Sequence, residues 1–174
     1  LEEVDCVNAN LLWSIYKIMI DVYNNFLSGE DHSRVLSYCM SAAYFYGETD
    51  NPDTPPTGMT HEVMQKTYIH KLLHDKTQSL VHGELRLYRM YINCFAPREL
   101  THFHTDGDRG ITFLYYPQND WKPDDGGETQ IYVGEDLQGL VPKPNRLIMF
   151  DAHLLHRATP FRDRHRFTIA VKYR

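Results

Sequence analysis

His102, His104 and Asp106 occupy alternate positions in the run THFHTD. In an extended segment, residues two apart point to the same side. One strand can therefore offer an imidazole and a carboxylate to a single metal ion. A second imidazole must come from elsewhere, and the C-terminal region holds His153, His156 and His165. Two histidines and one carboxylate on one face of an octahedral ion leave three positions free, which suits non-haem Fe(II) oxygen chemistry. A lone His-x-Asp arises easily by chance, so the reading rests on its company. His102 with His104 is the competing arrangement, a His-x-His site with Asp108 as the nearby acidic group.

The company is substantial. His156 lies fifty-two residues after His104, and Arg166 follows ten residues later at the head of RFTIAVKY. On that strand Arg166, Thr168, Ala170 and Lys172 share one face, while Phe167, Ile169, Val171 and Tyr173 share the other. A buried arginine needs an anionic partner, and its planar fork matches a carboxylate bidentately. Thr168 can add a hydroxyl to the same anion. GGETQIY (126–132) is a glycine turn feeding a strand, and PNRLIMFDAHLLH runs a buried strand into His156. His70 and His74 share a helix face, but Lys71 stands where a zinc-protease motif needs glutamate, so the pair reads as structural. His32, His61 and His82 stand alone and read the same way.

These groups need a scaffold. The chain has 174 residues, 42% of them hydrophobic, enough for a real core and one domain. A net charge of −5 argues against a phosphate-coating protein, so nucleic acid is not the expected partner. Cys6, Cys39 and Cys94 form no CxxC pair, which argues against a thiolate zinc site or a disulfide framework and for a reducing compartment. The longest apolar stretch, Leu11 to Ile20, is short and interrupted by Ser14 and Lys17. The expectation is a cytoplasmic chain with no membrane partner.

Apolar spacing predicts an amphipathic helix over 8–28, ended by Ser28-Gly29. Residues 33–46 are a second candidate of unsettled state, and 61–80 return to helical spacing. Between them Gly47 to Met59, with three prolines, two glycines and three carboxylates, is a loop. A lid or substrate-binding segment and a plain connector are equally good readings of it. From Glu84 the texture changes. Short β-type runs at 84–95, 111–116, 128–133, 146–150 and 166–173 predict a sandwich, barrel or jelly roll. The expected organisation is one domain, largely helical support and loop over 1–83 and a β core over 84–174.

In order and spacing, YRMY, HTD, LYYPQNDW, GGETQIY, RLIMFDAHLLH and HRFTIAVKY resemble the Fe(II)- and 2-oxoglutarate-dependent dioxygenases, most of all the prolyl 4-hydroxylase-like branch. The resemblance runs from about Leu87 to Tyr173. It implies a mainly β double-stranded β-helix, a cupin-like jelly roll, braced by N-terminal helices. It implies Fe(II) on His104, Asp106 and His156, with 2-oxoglutarate and O2 as co-substrates and ascorbate as a candidate reductant. Arg166 matches the residue that grips the far carboxylate of 2-oxoglutarate, with Arg164 as a register alternative. Tyr116 matches the co-substrate tyrosine, with Tyr115 as its rival. Tyr91 matches a tyrosine lining the same pocket, and Thr168 and Thr129 are further pocket residues. His153 and His165 lack the family spacing. The implied reaction is oxidative decarboxylation of 2-oxoglutarate coupled to C–H hydroxylation, with a prolyl or other peptidyl residue preferred as target. Halogenating relatives lose the carboxylate that Asp106 retains here. The same reaction on a free amino acid, small metabolite or alkylated base is one alternative. A non-oxidative cupin-type metal- or sugar-binding protein using His102 and His104 is another, although the glycine preceding that pattern is missing.

Overall fold

The computed structural model describes residues 20–81 and 83–174. Most of the helix expected over 8–28, and His82, lie outside them. Within them, residues 20–28 are not helical: Ile20–Tyr23 is strand β1, paired antiparallel with Leu147–Phe150. The exposed edge of a large sheet offers unpaired N–H and C=O groups, and that pairing overrides a helical apolar spacing.

The elements then run α1 (Gly29–Ser41), β2 (Phe45–Tyr46), β3 (Met59–Glu62), α2 (Tyr68–Gln78), β4 (Leu87–Phe95) and β5 (Ile111–Tyr116). After a 3-10 turn at Pro123–Asp125 come β6 (Thr129–Val133), β7 (Asp136–Leu140), β8 (Arg146–Asp151), β9 (His156–Ala158) and β10 (Arg166–Tyr173). Ser28 caps α1 by accepting from the Asp31 N–H, with Glu30 and Asp31 in the first turn. The unsettled segment 33–46 thus divides into a helix end and a two-residue strand. The helix expected over 61–80 starts only at Tyr68, because His61 and Glu62 pair with β4 and Thr67 caps the helix by accepting from the His70 N–H. The front of the described chain is accordingly less helical than its pattern predicts, since β1, β2 and β3 all join the main sheet.

Two antiparallel sheets form the jelly roll. The larger has the order β1-β8-β5-β10-β4-β3-β2 and the smaller β7-β6-β9. Period-two alternation gives the larger sheet two different faces. Ile169, Val171 and Tyr173 of β10, with Phe113 and Tyr115 of β5, pack against Val35, Cys39, Ile69 and Leu73 of the two helices. Polar tips there are matched: the Tyr115 hydroxyl lies 2.6 Å from His32 Nδ1, and the Tyr173 hydroxyl 2.9 Å from Thr77 Oγ1. The opposite face, carrying Tyr91, Leu114, Tyr116, Ile148, Phe150 and Ala170, meets Ile131 of the small sheet. This second, thinner layer encloses the site. No described helix is long and apolar enough to cross a membrane.

Gly110 fixes the entry to β5. Its φ is +114°, and a Cβ there would sit 2.1 Å from the Tyr173 carbonyl oxygen. Backbone cannot yield as a flexible side chain can. Gly110→Ala is expected to lower unfolding free energy by about 2 kcal/mol or more, read from the urea midpoint at unchanged m-value. A shift below about 0.5 kcal/mol, the range of neutral surface changes, would show that β5 can be entered another way.

Candidate metal centre and cavity

Backbone pairing brings the two histidines together. The His104 N–H donates to the His156 carbonyl and the His156 N–H to the His104 carbonyl, both at 2.9 Å. Residues paired this way share a face, and the ring centroids lie 4.5 Å apart. The Asp106 N–H donates to the Ala152 carbonyl at 2.8 Å, which turns its side chain between the two rings. His104 Nε2 then lies 3.7 Å from Asp106 Oδ1, and His156 Nε2 lies 3.6 Å from Asp106 Oδ2. Among the described residues, these three form the one histidine–carboxylate cluster able to hold a metal ion.

Both imidazoles are prepared as ligands. His104 Nδ1 faces the His102 carbonyl at 3.1 Å and His156 Nδ1 the Leu154 carbonyl at 2.8 Å. A proton on Nδ1, donated to a carbonyl, leaves the Nε2 lone pair for a metal. Burial pushes the His156 pKa down to about 4, outweighing the pull of Asp106, so the ring is neutral near pH 7. Burial works against the Asp106 charge. Even so, His156, then Lys172 and the hydrogen bonds from Lys172 and Thr112, hold its pKa below the usual carboxylate range. Two imidazole nitrogens and one carboxylate oxygen are a donor set that fits Fe(II).

The cavity beside this cluster has a volume of about 280 Å3 and extends to Arg166. A larger, more open cavity of about 1020 Å3 lies between α2 and β4, but it includes none of the three residues. Arg166 is 1% exposed. Its Nε donates to the Gly127 carbonyl and its Nη2 to Thr129 Oγ1, each at 2.9 Å. The Tyr116 hydroxyl lies 2.7 Å from the same Thr129 oxygen. No carboxylate among the described residues lies within ion-pair distance of Arg166; burial pushes its pKa down against the opposing pull of Tyr116 and the more distant Glu128. The guanidinium therefore retains donors, and its contacting partners are neutral. Thr168 and Tyr91, both buried, line the cavity with it.

The rival residues go elsewhere. Tyr115 faces the helices, where its hydroxyl donates to Asn145 Oδ1 at 2.9 Å. Arg164 pairs with Asp120 and Asp125. His153 and His165 are exposed. His102 takes part through its backbone, its N–H donating to Asp50 Oδ2 at 2.8 Å. His74 bonds the Tyr173 hydroxyl through Nδ1 at 3.0 Å.

Three contributors escaped the sequence reading. Lys172 Nζ is 2.7 Å from Asp106 Oδ1, and Thr112 Oγ1 donates to Asp106 Oδ2 at 2.6 Å. Burial works against the Lys172 charge, but Tyr91 and Asp106 push its pKa up. Strand alternation already placed Lys172 on the Arg166 face, so a signal for it existed. Asp50, in the 47–59 loop, gave none. Its Oδ1 lies 3.4 Å from His104 Nδ1, and its Oδ2 accepts from Thr57 as well as from His102. Asn51 Nδ2 adds a 2.9 Å bond to the Phe103 carbonyl. The loop is thus tied to the strand that carries the ligands. Asp50→Ala is expected to raise amide hydrogen exchange across 47–59 and 101–104 together, by about tenfold, since each lost bond is worth about 1 kcal/mol. Faster exchange in the loop alone would show that the two segments are not coupled.

A family model described as the 2OG-Fe(II) oxygenase superfamily matches residues 88–174, half of the chain. No curated protein matches the sequence. Among solved structures, the chain is similar to a prolyl hydroxylase from Trichoplax adhaerens in complex with a hypoxia inducible factor oxygen degradation domain peptide fragment. The identity is 17% and the TM-score 0.70, covering 88% of this chain and 82% of that one. A Pseudomonas putida prolyl-4-hydroxylase is similar at 16% identity and a TM-score of 0.72, covering 95% and 97%. HygX from Streptomyces hygroscopicus, with nickel and 2-oxoglutarate bound, is similar at 12% identity and a TM-score of 0.70, covering 96% and 87%.

Proposed function

The chain belongs to the 2OG-Fe(II) oxygenase superfamily, and on that premise we propose that it hydroxylates a C–H bond of a peptidyl substrate, a prolyl residue foremost. The observation that carries the co-substrate assignment is Arg166, a buried guanidinium without a carboxylate of its own, in the same cavity as the histidine–aspartate cluster. A dicarboxylate would give this cation its missing counter-charge.

In this reading His104, Asp106 and His156 hold the iron. Bound there, Fe(II) would supply the redox chemistry that couples O2 and 2-oxoglutarate to the substrate: one oxygen atom would enter succinate as CO2 is lost, and the other the substrate C–H bond. Arg166 binds the distal carboxylate of 2-oxoglutarate bidentately. Thr129 bonds both Arg166 and Tyr116, which fixes the fork before the anion arrives. Such preorganisation removes part of the ordering cost of binding. Leu114 lines the cavity and the Phe150 ring packs edge-on against His156 at 4.7 Å, so apolar groups flank the reacting centre.

The peptidyl reading is supported by likeness to prolyl hydroxylases, one of which is described in complex with a peptide. A small-molecule substrate is the second reading, favoured by HygX, similar in fold at a TM-score of 0.71 and 11% identity and described with hygromycin B bound. The test is succinate formation from 2-oxoglutarate with Fe(II) and O2, followed by mass spectrometry of proline-containing peptides and of a metabolite panel. A gain of one oxygen atom in a peptide supports the proposal. A gain confined to small molecules replaces it with the second reading. No succinate under any condition would remove both.

A further inference from the structure

Lys172 and Thr112 are direct cross-strand partners on β10 and β5. Both reach the same carboxylate, one at each oxygen of Asp106. The side chains of Lys172 and Asp106 are only 10% and 3% exposed. The other acids on that side are already engaged. Arg89, the partner of Lys172 on β4, takes Glu48 through two bonds of 2.7 Å and also pairs with Glu62. The Tyr91 ring lies between these two cations, 4.0 Å from the Arg89 guanidinium carbon and 4.8 Å from Lys172 Nζ. Among the described residues, Asp106 is the one carboxylate that Lys172 pairs with.

A cation this close to a candidate ligand has two effects of opposite sign. Two histidines and an aspartate alone carry a formal charge of −1. With Lys172 the group is neutral before any ion enters. A divalent ion then meets a positive neighbour in a site with little water to screen it. Once loaded, the site carries one more positive charge than the three ligands alone would give, which favours an incoming dianion. The same contact holds Asp106 in one rotamer, so both oxygens keep their orientation.

We infer that Lys172 is a positioning residue of the metal centre. It clamps Asp106 together with Thr112, and it weakens divalent-ion binding while strengthening capture of the anionic co-substrate. The inference rests on the reading that His104, Asp106 and His156 hold the ion, and it assigns Lys172 a role distinct from that of Arg166.

The test uses Mn(II) titration calorimetry on the metal-free full chain, then 2-oxoglutarate titration of the Mn(II)-loaded protein. The variants are Lys172→Met, Lys172→Gln and Lys172→Arg, each checked for folding by circular dichroism. Gln keeps a donor toward Asp106 and so preserves the fold if Met does not. The neutral variants are expected to bind Mn(II) at least about tenfold tighter and 2-oxoglutarate about tenfold weaker, a charge effect at short range. Lys172→Arg, which keeps the charge, is expected to stay within about threefold of wild type in both, well inside that charge effect. A structural role alone would move both affinities the same way. Neutral variants with unchanged or weaker Mn(II) binding overturn the proposal, as does failure of both to fold. If the wild-type chain takes up no Mn(II), the three-ligand reading itself is wrong and the proposal falls with it.

Discussion

Replacing Arg166 with methionine is expected to eliminate 2-oxoglutarate turnover and yet leave the ligand-free protein as stable as before, or more so. The two halves of this result have one cause. Arg166 is 1% exposed and its fixed partners, the Gly127 carbonyl and the Thr129 hydroxyl, are neutral. A desolvated charge without a counter-charge costs folding free energy, and a similar-sized apolar side chain removes that cost. The same substitution deletes the group that would pair with the co-substrate. Losing one partner of a buried ion pair costs about 3–5 kcal/mol, or about 10^2–10^4 in affinity. The thermal midpoint with and without millimolar 2-oxoglutarate reads both halves at once. Wild type should be stabilised by the ligand, while Arg166→Met should start level or higher and gain nothing. A variant that still gains stability would place the co-substrate elsewhere in the cavity.

The second large effect concerns the histidines. His156→Ala is expected to abolish metal uptake and activity together, whereas His102→Ala leaves metal affinity within about threefold, far inside the about 10–100-fold cost of losing even an outer partner of a ligand. His156 is locked on both sides. Its backbone is bridged to His104, and its Nδ1 is held by the Leu154 carbonyl, so Nε2 has one direction in which to point. Deleting it leaves one imidazole and one carboxylate, and that carboxylate already has Lys172 as a partner. Mn(II) affinity should fall by more than the about 100-fold upper cost of losing an outer partner. The outcome that would sink the assignment is the reverse pattern, with His102→Ala metal-free and His156→Ala still loading. That would restore the His-x-His reading.

How far residues reveal structure here depends on whether a local period is opposed by a distant partner. The strands at 111–116 and 166–173 were legible because alternation, burial and pairing all agree there. Tyr116 could be preferred to Tyr115, and Arg166 to Arg164, from motif context. The alternation on β10 also put Lys172 on the site face, although nothing local gave it a task. The apolar spacing before residue 28 misled at its described end, because Ile20–Tyr23 pairs with β8, more than a hundred residues away. His61–Glu62 misled similarly, through pairing with β4.

The sequence by itself determined which histidines have an aspartate and an arginine at the spacing the family resemblance requires, and which strand face each side chain takes. Those properties are set by side-chain identity and by the two-residue period of a strand, and both are local. Only the tertiary structure decided what surrounds those residues. It placed Lys172 and Thr112 on the two oxygens of Asp106, and it left Arg166 in contact with neutral partners only, the Gly127 carbonyl and the Thr129 hydroxyl. It brought Asp50 from a proline-rich loop to His104. These contacts join residues distant in the chain, and their strength depends on burial, which fixes how much water remains to screen a charge.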